Sequence, residues 1–285
     1  MNSKKINELI LTVANEISNL IPDCCGVTLG GSRMNNLEDR SSDVEMYFYT
    51  HEGPPSIASI TECLTRLNAT HKRTNSFLWE NKMPWGPHSF FVLDNLYFEI
   101  GYRNIDDIKK RILFYEKGNV EPIQDCHDLG LGYMPSGLAA SVATEKLLIK
   151  ETEELLELKK IANNFPLSLV ENLKNEYFET AKSLIKGKLL SAVEREDIFL
   201  YESISGRIVR CLMVMAFALG KNHFPGDKWN EKLLLKTNWT YKEKFIQLLK
   251  KHFSNSATSK KELKYKRNIL LRAYEIIEKE VVERL

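Results

Sequence analysis

The chain has 285 residues, with 40 Lys and Arg against 38 Asp and Glu, a formal charge of +2 at pH 7. At 43% hydrophobic, 27% charged and 10% aromatic residues, it has the make-up of a globular protein; the low hydrophobicity and high net charge of a disordered chain are both missing. The near-balance of charge excludes a surface that clamps nucleic acid over its whole area, and the length suggests two domains at about 100–200 residues each.

Ile6, Leu9, Ile10, Val13, Ile17 and Leu20 recur at helical spacing and predict an amphipathic helix over 3–20, ended by Pro22. Lys4, Lys5, Glu8 and Glu16 interrupt its apolar positions, so it lacks the apolar core of a signal peptide. The most apolar stretch, Cys211 to Leu219, is far short of the ~20 residues that span a bilayer. No membrane contact and a cytoplasmic location are therefore expected. Residues 24–29 read as a strand that enters the turn Gly30-Gly31-Ser32. From Asp43 to Thr50 the chain alternates: Asp43, Glu45, Tyr47 and Tyr49 share one face, and Val44, Met46 and Phe48 the other. A helix is predicted over 57–68, then strands over 88–93 and 96–102 joined by a hairpin turn at Asp94-Asn95.

Beyond about residue 136 the pattern is helical throughout, over 138–162, 167–186, 194–219, 240–252 and 259–283, with no strand predicted among them. The segment from Gly118 to Pro135, with three glycines and two prolines, reads as the boundary. The predicted architecture is α+β: a small mixed-sheet α/β domain over 1–125 followed by an all-helical domain over 126–285.

The five cysteines form no CxxC pair, which supports neither a disulfide framework nor a zinc ribbon, and Cys126 beside His127 lacks partners for a metal. Three other features carry chemistry. Gly30-Gly31-Ser32-Arg33 at a strand end lets backbone N–H groups and a hydroxyl approach an anion. Asp43 and Glu45, two apart on a strand, point two carboxylates into one space, where their repulsion calls for a cation, and a hard ion such as Mg²⁺ suits oxygen ligands. Glu99 is a third carboxylate set in the apolar run Leu96-Tyr97-Phe98-Glu99-Ile100. Each alone has an ordinary explanation, a turn or a solvated strand face; the ordered set is specific.

In that order the residues resemble the signature of the DNA polymerase beta-type nucleotidyltransferase superfamily, and the two-domain layout is similar to bacterial antibiotic (aminoglycoside or lincosamide) nucleotidyltransferases. Gly31-Ser32 matches its Gly-Ser, Asp43 and Glu45 its acidic pair, and Glu99 its third acid. Glutamate at the second acidic position departs from the commoner aspartate, a variant familiar among antibiotic-modifying members. Over the second half, Phe224-Pro225-Gly226-Asp227-Lys228-Trp229 resembles a Pro-Gly-x-Lys-Trp turn of these proteins. The resemblance implies two Mg²⁺ ions held by Asp43, Glu45 and Glu99, with Glu99 as general base. It also implies a nucleoside triphosphate, most simply ATP, on Gly31, Ser32, Arg33 and Lys228, and transfer of its nucleoside monophosphate to a hydroxyl of a small-molecule acceptor. A toxin-type enzyme acting on tRNA or protein, and a non-catalytic nucleotide-binding regulator, are the alternatives. The chain is expected to act as a monomer or homodimer.

Several residues are candidates of lesser weight. Arg207 and Arg210 suit either a cleft or ion pairing. Trp79, Trp85 and His88 suit either an acceptor wall or the core. The basic run at Lys250, Lys251, Lys260, Lys261, Lys264, Lys266 and Arg267 reads as the wet side of amphipathic helices, so nucleic acid is not the favoured partner.

Overall fold

The computed structural model describes residues 3–35, 37–39, 42–70, 86–122, 134–226, 228–254 and 256–284. The expectations for Trp79, Trp85, Cys126 and His127 lie outside these residues. The chain divides into two compact units, Met1–Leu113 with Leu138–Asn164, and Phe114–Gly137 with Phe165–Leu285.

The first unit is built on a five-stranded mixed sheet of order β3-β4-β2-β1-β5. Its strands are β1 (Gly26–Leu29), β2 (Val44–Thr50), β3 (His88–Leu93), β4 (Leu96–Asn104) and β5 (Lys146–Ile149). β2 and β4 run parallel; the other neighbours are antiparallel. The hairpin between β3 and β4 turns at Asp94 and Asn95, both at positive φ (48° and 65°), as a two-residue turn between twisted strands requires.

Alternation sorts the sheet into two faces. Val44, Met46 and Phe48 of β2 and Phe98, Ile100 and Tyr102 of β4 enter a core with Ile10, Val13, Ala14 and Ile17 of α1 (Ser3–Ser18) and Ile60, Cys63 and Leu64 of α3 (Ile57–Arg66). Burying each such large aliphatic or aromatic side chain contributes about 1.5–3 kcal/mol, which anchors both helices on that face. The opposite face of β2 and β4 is left to Glu45, Tyr47, Tyr49, Glu99, Gly101 and Arg103. The unit also holds the single turn α2 (Gly31–Met34) after β1, most of α5 (Pro135–Thr144), and α6 (Glu153–Ala162). α4 (Ile105–Glu116) follows β4.

One expectation is corrected here. Residues 138–162 are not one helix; they form the end of α5, strand β5 and α6. Lys146-Leu147-Leu148-Ile149 is a short apolar run whose periodicity fits either state. Pairing with β1 decides it, with Thr28 opposite Leu147 and Leu29 opposite Lys146, and Lys150 at φ 53° ends the strand.

The second unit is helical among its described residues. It comprises α7 (Leu167–Leu173), a π-helical turn (Lys174–Phe178), α8 (Glu179–Lys186), α9 (Lys188–Arg195), α10 (Ile198–Leu219), α11 (Asn230–Lys236), α12 (Lys242–Ser254) and α13 (Lys260–Arg284). Every residue from Cys211 to Leu219 is buried, because α8, α9 and α13 pack around α10. The most apolar stretch of the sequence is thus the axis of a bundle. The helix expected over 194–219 starts later: Glu196 takes a left-handed conformation and the Asp197 side chain caps α10 by accepting from the Leu200 N–H. Among the described residues no helix is long and apolar enough to cross a membrane.

Candidate functional site

Parallel pairing of β2 with β4 places Glu45 directly opposite Glu99, and the next same-face pairs are Tyr47 with Gly101 and Tyr49 with Arg103. Asp43 lies one residue before β2, so the three acids flank one end of the face away from the core. The glycine turn adjoins them: the Gly30 N–H donates to the Glu45 carbonyl (2.9 Å). Gly31 has φ +67°, and a Cβ there would stand 2.4 Å from Glu45 Oε1. Glycine at 31 is thus required both by the backbone and by the carboxylate that lies against it. Gly31→Ala is expected to cost about 1–2 kcal/mol from the left-handed backbone alone and to displace the Glu45 carboxylate. Urea unfolding checks the first effect; unchanged stability would contradict it.

Ser32 is buried, and its Oγ has no hydrogen-bond partner among the described residues. An orphaned buried hydroxyl beside a glycine cradle is the kind of donor that a phosphate oxygen would satisfy. Arg33 donates from Nε to the Asp43 carbonyl and from an Nη to the Ser42 carbonyl, both at 3.0 Å. Its guanidinium thus fixes the backbone that carries Asp43. Lys228 belongs to the second compact unit, where it is exposed, as is Arg207.

Tyr47, which sequence reasoning left in the strand pattern, donates its hydroxyl to Glu45 Oε2 (3.1 Å). Burial first, and then the Glu45 charge, hold that phenol well above its usual range, so it remains a donor. Its ring lies across Gly101, where a Cβ would come within 2.7 Å of Tyr47 Cδ1. The Arg103 guanidinium sits 3.5 Å from the ring centroid. Arg103 in turn pairs with Glu145 at 2.5 Å, and both side chains are almost wholly buried. Glu145 also accepts from Thr28 (2.8 Å), Tyr49 (2.6 Å) and Ser141 (2.7 Å). Burial alone raises the Glu145 carboxyl, but the Arg103 charge and these three donors more than offset it, and the net shift is downward. No local pattern marks Glu145, because its partners other than Ser141 lie on β1, β2 and β4, over 40 to about 120 residues away.

His88 lies 3.6 Å from Glu99 Oε1 through Nε2, while Nδ1 is 2.9 Å from the Gly86 carbonyl. A carbonyl only accepts, so Nδ1 carries the proton and Nε2 turns a lone pair toward Glu99. Burial lowers the imidazole to about 4, so at neutral pH the two do not form a charge pair. A folded value below the unfolded one, about 6.5, gives stability that is present above pH 6.5 and lost as pH falls toward 4. His88→Gln is expected to remove this contribution: between pH 7 and 4 the wild-type first unit loses about 3 kcal/mol more than the variant. Denaturant midpoints across that range test this, and parallel pH profiles would contradict it.

The donor set of Asp43, Glu45 and Glu99 is all carboxylate oxygen, the chemistry of Mg²⁺ rather than of a thiophilic metal. Among the described residues these carboxylates do not gather within 4.8 Å of one another. That spread suits a hard ion held by one or two carboxylates together with substrate oxygens, and not a closed protein cage. With the orphaned Ser32 hydroxyl and the Gly31 cradle, the residues fit a metal-bound phosphate ligand.

No family model matches the chain, and no curated protein matches it in sequence. Among solved structures it is similar to a nucleotidyltransferase-like protein from Exiguobacterium sibiricum 255-15. The identity is 10%, the match covers 95% of this chain and 74% of that one, and the TM-score is 0.46. The functional reading rests on the geometry of the site.

Proposed function

We propose that the chain is a Mg²⁺-dependent nucleotidyltransferase that moves a nucleoside monophosphate, AMP from ATP, to a hydroxyl of a small-molecule acceptor of the aminoglycoside or lincosamide kind. The observation that carries this reading is the pairing of Glu45 with Glu99 on adjacent parallel strands. Asp43 stands just before the first of these strands, and Gly31 lies against the Glu45 carboxylate. Mg²⁺ held by these acids would supply charge neutralisation of the triphosphate and a lowered pKa for the attacking hydroxyl.

The chain's own residues do the rest. Backbone at Gly31, where no side chain intervenes, and the Ser32 hydroxyl bind phosphate oxygens. Arg33 holds Asp43 in place through the carbonyls of Ser42 and Asp43, and Tyr47 orients Glu45. Glu99 accepts the proton of the acceptor hydroxyl as its oxygen bonds to the α-phosphorus and pyrophosphate departs.

The test is transfer of label from α-labelled ATP with antibiotic, tRNA and protein acceptors side by side. Label on a small cationic antibiotic is the expected outcome. Label confined to tRNA or protein would replace the acceptor class. Absence of transfer to all three, with nucleotide bound, would favour a regulator.

A further inference from the structure

The sequence gives cysteine no role, yet the three-dimensional structure gathers Cys25, His51 and Glu154 so that one ligand atom of each lies within 4.8 Å of the others. They come from three places: the residue before β1, the residue after β2, and the first turn of α6. Their backbones are tied together. The Cys25 N–H donates to the Tyr49 carbonyl (2.7 Å), and the Thr152 hydroxyl, which caps α6, donates to the Cys25 carbonyl (2.8 Å). The N–H of His51 donates to Asp23 Oδ2 (2.6 Å), and Asn104 donates its side-chain amide to the His51 carbonyl.

The imidazole is held in the manner of a metal ligand. Nδ1 lies 3.1 Å from Asp106 Oδ2, and Nε2 lies 3.1 Å from Glu154 Oε2, facing the cluster. A carboxylate on the far ring nitrogen is the usual outer partner that fixes a ligating histidine. Charge points the same way. Asp106 and Glu154 flank the imidazole, Asp23 accepts from the backbone N–H of the same residue, and among the described residues no Lys or Arg forms an ion pair with any of the three.

We propose that Cys25, His51 and Glu154 form a second metal site, for a thiophilic divalent cation of the Zn²⁺ class, independent of the proposed nucleotide site. A sulfur, an imidazole nitrogen and one carboxylate oxygen are the donors that suit Zn²⁺ and not Mg²⁺. Bonds of about 2.0–2.3 Å to a tetrahedral ion set ligand atoms about 3.3–3.8 Å apart. The Nε2 to Glu154 spacing is near that already, and the partly exposed side chains of His51 and Glu154 can close the remainder. Cys25 forms the buried floor, and solvent takes the fourth position from the open side. Binding releases the thiol proton and leaves a thiolate on the ion. The site ties β1, β2 and α6 at the end of β2 opposite Asp43, eight residues or roughly 26 Å along the strand.

The experiment uses the full chain, stripped with a chelator and titrated with Co²⁺ and Zn²⁺. One equivalent of Co²⁺ with a thiolate-to-cobalt charge-transfer band is expected, together with a higher melting temperature on adding Zn²⁺. Cys25→Ser abolishes the band, and His51→Gln, at a half-exposed position that tolerates replacement, abolishes tight binding. Asp106→Asn weakens the affinity by about 10–100-fold, and Asp43→Asn leaves it unchanged. Co²⁺ binding without the band, or a titration that His51→Gln does not alter, overturns the proposal.

Discussion

Asp43→Asn and Glu45→Gln are each expected to lower nucleotidyl transfer by at least about 10²-fold without loss of fold. Both replacements keep side-chain size and remove one negative charge from the donor set. Electrostatic stabilisation of a phosphoryl group in flight is worth several kcal/mol, and each 1.36 kcal/mol is a factor of ten in rate. The fold does not depend on these charges: Asp43 precedes β2, and the backbone around it is held by Arg33 through carbonyl oxygens, which the substitution leaves alone. In Glu45→Gln the amide oxygen still accepts from Tyr47, and the amide nitrogen takes the place of the oxygen that lies against Gly31. Removing one of several neighbouring like charges leaves stability equal or higher. Initial rates of label transfer and melting curves read the two effects separately. A variant that keeps a tenth of the wild-type rate, or that melts well below it, contradicts the assignment.

The second large effect is structural. Arg103→Met or Glu145→Leu alone is expected to destabilise the first unit by about 3–5 kcal/mol, since each leaves the other charge buried without its partner. The double variant recovers much of that loss, because two apolar side chains of similar volume replace the pair. The single variants also lose activity beyond their loss of stability. Arg103 lies over the Tyr47 ring, and Tyr47 holds Glu45, so the pair supports the site from behind. Denaturant unfolding of the four species in a double-mutant cycle measures the coupling. Single variants within 1 kcal/mol of wild type would contradict the account.

Much of the sheet is written locally in the chain. The alternation of Val44, Met46 and Phe48 against Glu45, Tyr47 and Tyr49 predicts which face meets the core, and the core contains the first set. Asp94-Asn95 has the turn chemistry of the hairpin it forms. β5 was illegible because four residues carry too little periodicity; its state is decided by pairing with a strand nearly 120 positions earlier. For the same reason the acids Asp43, Glu45 and Glu99 could be picked from sequence, while Glu145, Arg103 and the cluster at Cys25 could not. Their significance arises only when distant segments meet. Arg33 illustrates a subtler limit: its place beside a glycine turn suggests an anion, and nothing local shows that it also donates to the carbonyls of Ser42 and Asp43.

The central claim is that the carboxylates on β2 and β4 perform nucleotidyl transfer. Its most direct test is Mg²⁺-dependent release of pyrophosphate from ATP in the presence of an acceptor pool, measured for the wild type and for Glu99→Gln. The account predicts release that needs Mg²⁺ in the wild type and falls by at least about 10²-fold in the variant, as removal of a general base requires. Pyrophosphate release that persists in Glu99→Gln, or its absence from the wild type with every acceptor, would contradict it.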